Sequence, residues 1–230
     1  MRETFHGELD LIRRTLVEMT SAVGVAMQDA TAALLDADLT VAERVISADA
    51  EVDQLRDELR QRAFDLLARQ QPVAVDLRTI VTSLHAVADL ERMGDLALHV
   101  AKVARMRYPS CAVPDEVRGA IREMGDVAQS IVDKTRRVLD GQDIKLAEEL
   151  ERDDDAMDTL HRRLFTQLLS DEWAHGIEPA IDITLIGRYY ERYADHAVSV
   201  ARETVYLVTG EKPALSISIA GGATETALGV

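Results

Sequence analysis

Aromatic side chains make up only 4% of this 230-residue chain, with a single tryptophan and three phenylalanines. A core poor in rings has to be filled by aliphatic residues, which suits helices packed ridge into groove rather than a β-sandwich. One cysteine, Cys111, excludes an internal disulfide. Five prolines and twelve glycines leave little material for a loop-rich fold. No apolar stretch approaches the ~18 residues of a spanning helix, and residues 1–6 carry no secretory h-region. Both point to a cytoplasmic protein that does not span the membrane. No basic tract is present, which excludes the counterion-release mode of nucleic-acid binding and docking to anionic lipid. No glycine-rich loop opens a helix, so no phosphate cradle is visible. No nucleophile lies in a recognisable pairing with a base, so the expectation is a protein that is not an enzyme.

What the chain has in excess is acid: 41 Asp and Glu against 26 Lys and Arg, a formal charge of −15. Such a surface favours solubility, cation binding or a basic partner. The apolar residues recur with helical period almost throughout, and strand alternation is nearly absent. The periodicity predicts helices from about Phe5 to Leu35, from Thr40 to Arg69, from Ala74 to Arg107, from Asp115 to Leu139, from Asp143 to Leu169, and a sixth ending near Thr209. Thr40 followed by Glu43 reads as a capping box, Pro72 as a turn, and Asp140-Gly141 as a helix stop. The resulting organisation is a first three-helix bundle over 1–108, a linker over 109–114, a second three-helix bundle over 115–209 and a mobile C-terminal tail over 210–230. Short connections make neighbours within each half antiparallel.

The two halves repeat a signature. Leu90-Glu91-Arg92-Met93-Gly94-Asp95 and Tyr190-Glu191-Arg192-Tyr193-Ala194-Asp195 are both E-R-x-x-D, with two carboxylates on one helix face. Upstream lie a second acidic pair in each half, Asp49 and Asp53, and Asp154 and Asp158. In an antiparallel hairpin, Asp53 mirrors Glu91 and Asp49 mirrors Asp95 about Pro72. Asp158 mirrors Glu191 and Asp154 mirrors Asp195 about a centre between Ala174 and His175. Both centres fall in predicted loops. Each set of four should therefore meet across its hairpin, beside apolar residues of the same helix face, where unpaired charge is costly.

Two explanations compete. Four carboxylates without cysteine form a hard, oxygen-rich cation site, suited to Mg, Mn, Fe or Ca more than to structural zinc. His161, three residues after Asp158 and aligned with Arg56 of the first copy, is a possible extra ligand or a packing histidine; His99 and His196 are weaker candidates. Alternatively Arg56, Arg60, Arg92, Arg188 and Arg192 neutralise the carboxylates in an internal ion-pair network.

With Asp49-Ala50-Glu51-Val52-Asp53, Gln70-Gln71-Pro72-Val73-Ala74-Val75-Asp76-Leu77-Arg78 and the two E-R-x-x-D segments in order, the chain resembles the PhoU family over about residues 3 to 209. The resemblance implies two tandem three-helix bundles with pseudo-twofold symmetry. It implies metal ions (Fe, Mn, Mg or Zn) on Asp49, Asp53, Glu91, Asp95, Asp154, Asp158, Glu191 and Asp195, in some members as multinuclear iron clusters. It implies a cytoplasmic negative regulator of the phosphate-starvation response and phosphate uptake. Its expected partners are a sensor histidine kinase and the ATPase of the phosphate ABC transporter, with a homodimer as the assembly. The second copy departs from the pattern: Glu178-Pro179-Ala180-Ile181-Asp182 replaces the Q-Q-P-V-A-x-D-L-R turn, and its helix 5–6 loop is expected to be shorter by about five residues. Two other readings stand beside this one. A ferritin-like di-iron oxidase needs two E-x-x-H motifs, and only Asp158-Thr159-Leu160-His161 approximates one. A metal-free helical scaffold needs only the ion pairs.

Overall fold

Six long helices account for the computed structural model, which describes residues 2–141 and 143–211. They are α1 (Arg2–Asp36), α2 (Leu39–Gln70), α3 (Ala74–Arg107), α4 (Asp115–Gly141), α5 (Ile144–Leu168) and α6 (Ile177–Thr209). No strand occurs among the described residues. The fold is all-α, two three-helix bundles in tandem, as expected. None of the helices is long and apolar enough to cross a membrane. The tail expected over 210–230 lies outside the described residues from position 212 onward.

The helix starts differ from expectation in an informative way. Asp38, not Thr40, caps α2: its carboxylate accepts from the backbone N–H of Thr40 at 2.9 Å and of Val41 at 3.1 Å. Asp143 does the same for α5 through Lys145 and Leu146. Both aspartates use the extended backbone that a capping residue needs. At the other end, α6 stops at Gly210, whose φ of 77° is the left-handed cap geometry. The α5–α6 connection is not shortened. It spans residues 169–176, against 71–73 between α2 and α3. The missing residues come from the helix before it, since α5 has 25 residues and α2 has 32.

Within each half the three helices pack on one another. Across the halves α1 lies on α4 and α3 on α6, so these four form the middle of the molecule and α2 and α5 form its two flanks. One continuous aliphatic core runs through both halves, from Ile12, Met19 and Val23 to Ile121, Met124 and Ile131, all fully buried. The close approach of α1 to α4 depends on Gly24 and Gly125. A Cβ on Gly24 would lie 3.0 Å from Val132 Cγ1, and one on Gly125 only 2.7 Å from Thr31 Cγ2.

The α3–α6 seam is polar at intervals and runs antiparallel. His85 faces Glu203, Asp89 accepts from Ser199 at 2.7 Å and binds His196 Nδ1 at 2.9 Å, and His99 stacks on Tyr189 with ring centres 5.3 Å apart. Arg107 closes the end, pairing with Glu178 and with the buried Asp182. The segment between α3 and α4 is packed. Ala112 and Val113 are buried, and the Cys111 thiol sits 3.5–3.6 Å from the Leu34 and Leu35 carbonyls that α1 leaves open at its C-terminus.

Candidate metal centre

In each E-R-x-x-D segment the inward positions anchor the outward ones. Leu90 and Met93 of α3, and Tyr190 and Tyr193 of α6, are fully buried. Tyr190 is held further by a 2.6 Å hydrogen bond with Thr31 Oγ1 of α1, and Tyr193 donates to the Val23 carbonyl. With those side chains fixed in the core, the helical period turns Glu91 and Asp95, and Glu191 and Asp195, onto the flank that faces α2 or α5. The carboxylates line the edge of the core instead of entering it: seven of the eight are partly buried and Asp195 is exposed.

Within each half the carboxylates of the two helices lie close enough to act on one another electrostatically. Asp49 on α2 is held above the usual carboxylate range by partial burial, and then by the charges of Asp53, Asp95 and Glu91, against attraction from Lys102. All four members of the first set therefore act on one another. In the second set, burial and the charges of Asp195 and Asp158 push Asp154 up to about 7, with Arg202 opposing. Burial, Asp195 and Asp158 also raise Glu191, against Arg188. Asp195, although at the rim, is raised by desolvation and by Asp158, while Arg188, Arg192 and His196 pull it down. Lys102 and Arg202, equivalent residues seven positions after Asp95 and Asp195, were not singled out in the sequence. Their repetition at the hundred-residue spacing was the available signal.

The sets differ in how their charge is met. In the first, Arg56 Nη1 donates to Asp53 Oδ1 at 2.7 Å and to Glu91 Oε1 at 2.9 Å, joining α2 to α3. Its Nε donates to Asp57 at 3.0 Å. Arg92 pairs with Asp95 at 2.7 Å within its own helix. In the second set Arg188 pairs with Glu191 one turn away, within α6. The position of Arg56 is taken there by His161, which packs on Phe165 at 4.8 Å between ring centres and faces Gly187. Its Nε2 is buried without a hydrogen-bond partner, and burial together with Arg188 lowers its pKa, so the ring is neutral. The other two histidines have ordinary explanations. His196 is bound to Asp89 across the seam and His99 stacks on Tyr189.

Among the described residues, no three carboxylate, imidazole or thiol groups converge into a ready coordination shell. The donor chemistry nonetheless fits a hard cation: eight oxygens per set at the edge of a dry core, mutually repelling, with an orphaned imidazole nitrogen beside the second. Asp49, Asp154, Glu191 and Asp195 are raised first by burial and then by the charges of neighbouring carboxylates, and a cation entering either set would offset both.

Fold and site together define a class: a duplicated six-helix protein with a carboxylate set on each outer hairpin. The PhoU domain model matches residues 16–104 and 121–204, and the chain belongs to the PhoU family. It is 48% identical over 213 residues, 93% of this chain and all of the relative, to the phosphate-specific transport system accessory protein PhoU homolog 2 of Mycobacterium tuberculosis. It is 46% identical to homolog 1 of Mycobacterium leprae, over 93% of this chain and 96% of that one. The crystal structure of PhoU from Pseudomonas aeruginosa superposes with a TM-score of 0.79 at 31% identity, over 90% of this chain and all of the other. The phosphate transport system regulatory protein PhoU from Streptococcus pneumoniae has the same fold, with a TM-score of 0.82 at 24% identity over 92% of this chain and 100% of that one.

Proposed function

We propose that this chain is an accessory protein of a phosphate transport system, a metal-binding adaptor that restrains phosphate uptake and the starvation response. The observation that supports the metal role is the electrostatic coupling of carboxylates from both helices in each half, at the positions mirrored about each loop, with Asp154, Glu191 and Asp195 of the second still raised. Asp49, Asp53, Glu91 and Asp95, and Asp154, Asp158, Glu191 and Asp195, would hold the ions, which would neutralise each set and clamp α2 to α3 and α5 to α6. The protein acts by docking and by biasing a partner's two-state equilibrium. Family membership and similarity to transport-system accessory proteins support the transporter ATPase and a sensor histidine kinase as partners.

The surface supports docking. Val73, Leu77 and Val81 form an exposed aliphatic stripe along the start of α3, and Ile177, Ile181 and Leu185 form one along the start of α6. Each is spaced by four residues, one helix face. The first falls in the Q-Q-P-V-A-V-D-L-R segment. With a net charge of −15, the surrounding field favours a basic partner face.

A second reading, a metal-free scaffold, draws on the Arg56, Arg92 and Arg188 ion pairs. Elemental analysis and equilibrium dialysis of the wild type beside Glu91→Gln/Asp95→Asn and Glu191→Gln/Asp195→Asn separate the two. Metal content should fall in each variant, and unchanged content in both would leave the scaffold reading. For the regulatory role, a deletion strain without a paralogue should transcribe starvation genes in high phosphate; normal repression there would remove it.

A further inference from the structure

The first carboxylate set already holds a cation, and it is the protein's own. Arg56 Nη1 lies between Asp53 on α2 and Glu91 on α3, within hydrogen-bond distance of both. That is where an ion bridging the hairpin would have to sit, because these two carboxylates come from opposite sides of it. Among the described residues no arginine is seen to join Asp158 to Glu191 in this way. His161 stands at the place of Arg56, its ring is neutral, and its Nε2 is orphaned. The arginine that does enter the second set, Arg188, holds one carboxylate of its own helix and bridges nothing.

We propose that Arg56 is an internal plug that competes with metal for the first set, so that the two sets fill in order, the second before the first. The proposal rests on the cation role given above. Loading the first set requires the guanidinium to leave two charge-assisted hydrogen bonds. Loading the second requires Arg188 to release the two oxygens of Glu191, a contact within one helix that ties nothing across the hairpin, with Arg202 acting on Asp154. Arg56 has somewhere to go. Its side chain already borders a groove of about 390 Å³ between α2 and α3, lined also by Arg60, Phe64, Asp89, Glu91 and Arg92. Arg60 there is exposed and has no ion-pair partner among the described residues. Filling the first set would therefore push a third guanidinium toward Arg60 and Arg92. Metal occupancy inside the hairpin would be reported on its surface as positive charge, on a molecule that is otherwise strongly acidic.

The test is Mn²⁺ titration of the full chain by calorimetry, with free Mn²⁺ followed by electron paramagnetic resonance. The wild type should show two affinities separated by at least tenfold. In Asp154→Asn/Glu191→Gln, which disables the second set, only the weak phase should remain. Adding Arg56→Gln to that background should tighten the weak phase by tenfold or more, and Arg56→Lys, which keeps a charge but loses the fork, should fall between. A separate readout guards against a misfolded variant. Metal-free Arg56→Gln should melt below the wild type, and millimolar Mn²⁺ should raise its melting temperature by more than it raises that of the wild type. If Mn²⁺ binds the second set and Arg56→Gln leaves the weak phase unchanged, the plug is wrong and the metal role stands. If no variant binds Mn²⁺, iron included as a second probe, both fall together.

Discussion

Asp154 shows what burial, and after it the neighbouring carboxylates, cost a single residue. Its folded-state pKa near 7 lies well above the ~3.9 of an unfolded chain. The folded form therefore holds its proton more tightly. The stability linked to this group is fully present below about pH 4 and is lost as pH rises through about 7. With a chelator present, the protein should melt at a higher temperature at pH 5.5 than at pH 8 so far as this residue is concerned. Asp154→Asn should flatten that difference and raise the melting temperature at pH 8. A cation competes with the same proton, so Mn²⁺ affinity in the second set should weaken on acidification from pH 7.5 to 5.5; an affinity that ignores pH would place the ion elsewhere. The caps give a simpler prediction. Asp38→Ala and Asp143→Ala each leave two backbone N–H groups without their acceptor, and each should cost about 1 kcal/mol in denaturant unfolding.

At the scale of elements, the α1–α4 contact offers a paired test. Gly125→Ala places a methyl against Thr31, whose hydroxyl is already committed to Met27 and Tyr190, so the threonine cannot simply rotate away. The expected loss is about 1–3 kcal/mol, the usual range for overpacking. Gly119→Ala, on the exposed face of the same helix with nothing within 4 Å, should instead gain roughly 0.5–1 kcal/mol from helix propensity. Chemical denaturation of both variants checks the contrast. This is also the scale at which the sequence was most legible. Apolar periodicity locates all six helices, because a 3.6-residue repeat over 25 to 35 residues has no competing explanation. The mirrored spacing about each turn places Asp53, Asp95 and Glu91 where they act on Asp49, and Asp158 and Asp195 where they act on Asp154, since an antiparallel hairpin converts sequence separation into register. The cap at Asp38 was hidden by the equally plausible Thr40. The Arg56 bridge was visible only as one of five arginines on or near the face, because which carboxylate a long flexible side chain reaches is decided by rotamers. The seam contacts of Asp89, His99, His196 and Tyr189 left no local trace, as they depend on how one half meets the other.

At the scale of the whole molecule, the shared core and the two seams tie the halves into one unit. The folded region should unfold in a single transition, with far- and near-ultraviolet circular dichroism coinciding; two separated steps would mean the halves are thermodynamically independent. Cys111→Ser should melt within a few degrees of the parent, because a hydroxyl can still donate to the open carbonyls of α1. Val113→Asp should melt far lower, because it puts a charge where the linker is buried. Docking to the proposed basic partner should weaken steadily with added salt, and titration against the cytoplasmic part of the proposed kinase partner at two salt concentrations would measure it.

The α3–α6 seam carries a trace of ancestry. In a symmetric pair of identical subunits, every contact must occur twice with the partners exchanged. Asp89 would then meet His99 of its twin, and Tyr189 would meet Ser199 of its own. In the fused chain these are crossed: Asp89 meets Ser199, and Tyr189 meets His99. Joining two copies freed each position from having to suit its own duplicate. The same release allowed Arg56 and His161 to diverge at one aligned place. A fragment of residues 1–112 should return to the older constraint, associating through α3 as a homodimer with paired Asp89 and His99, and His99→Asp should drive that fragment apart.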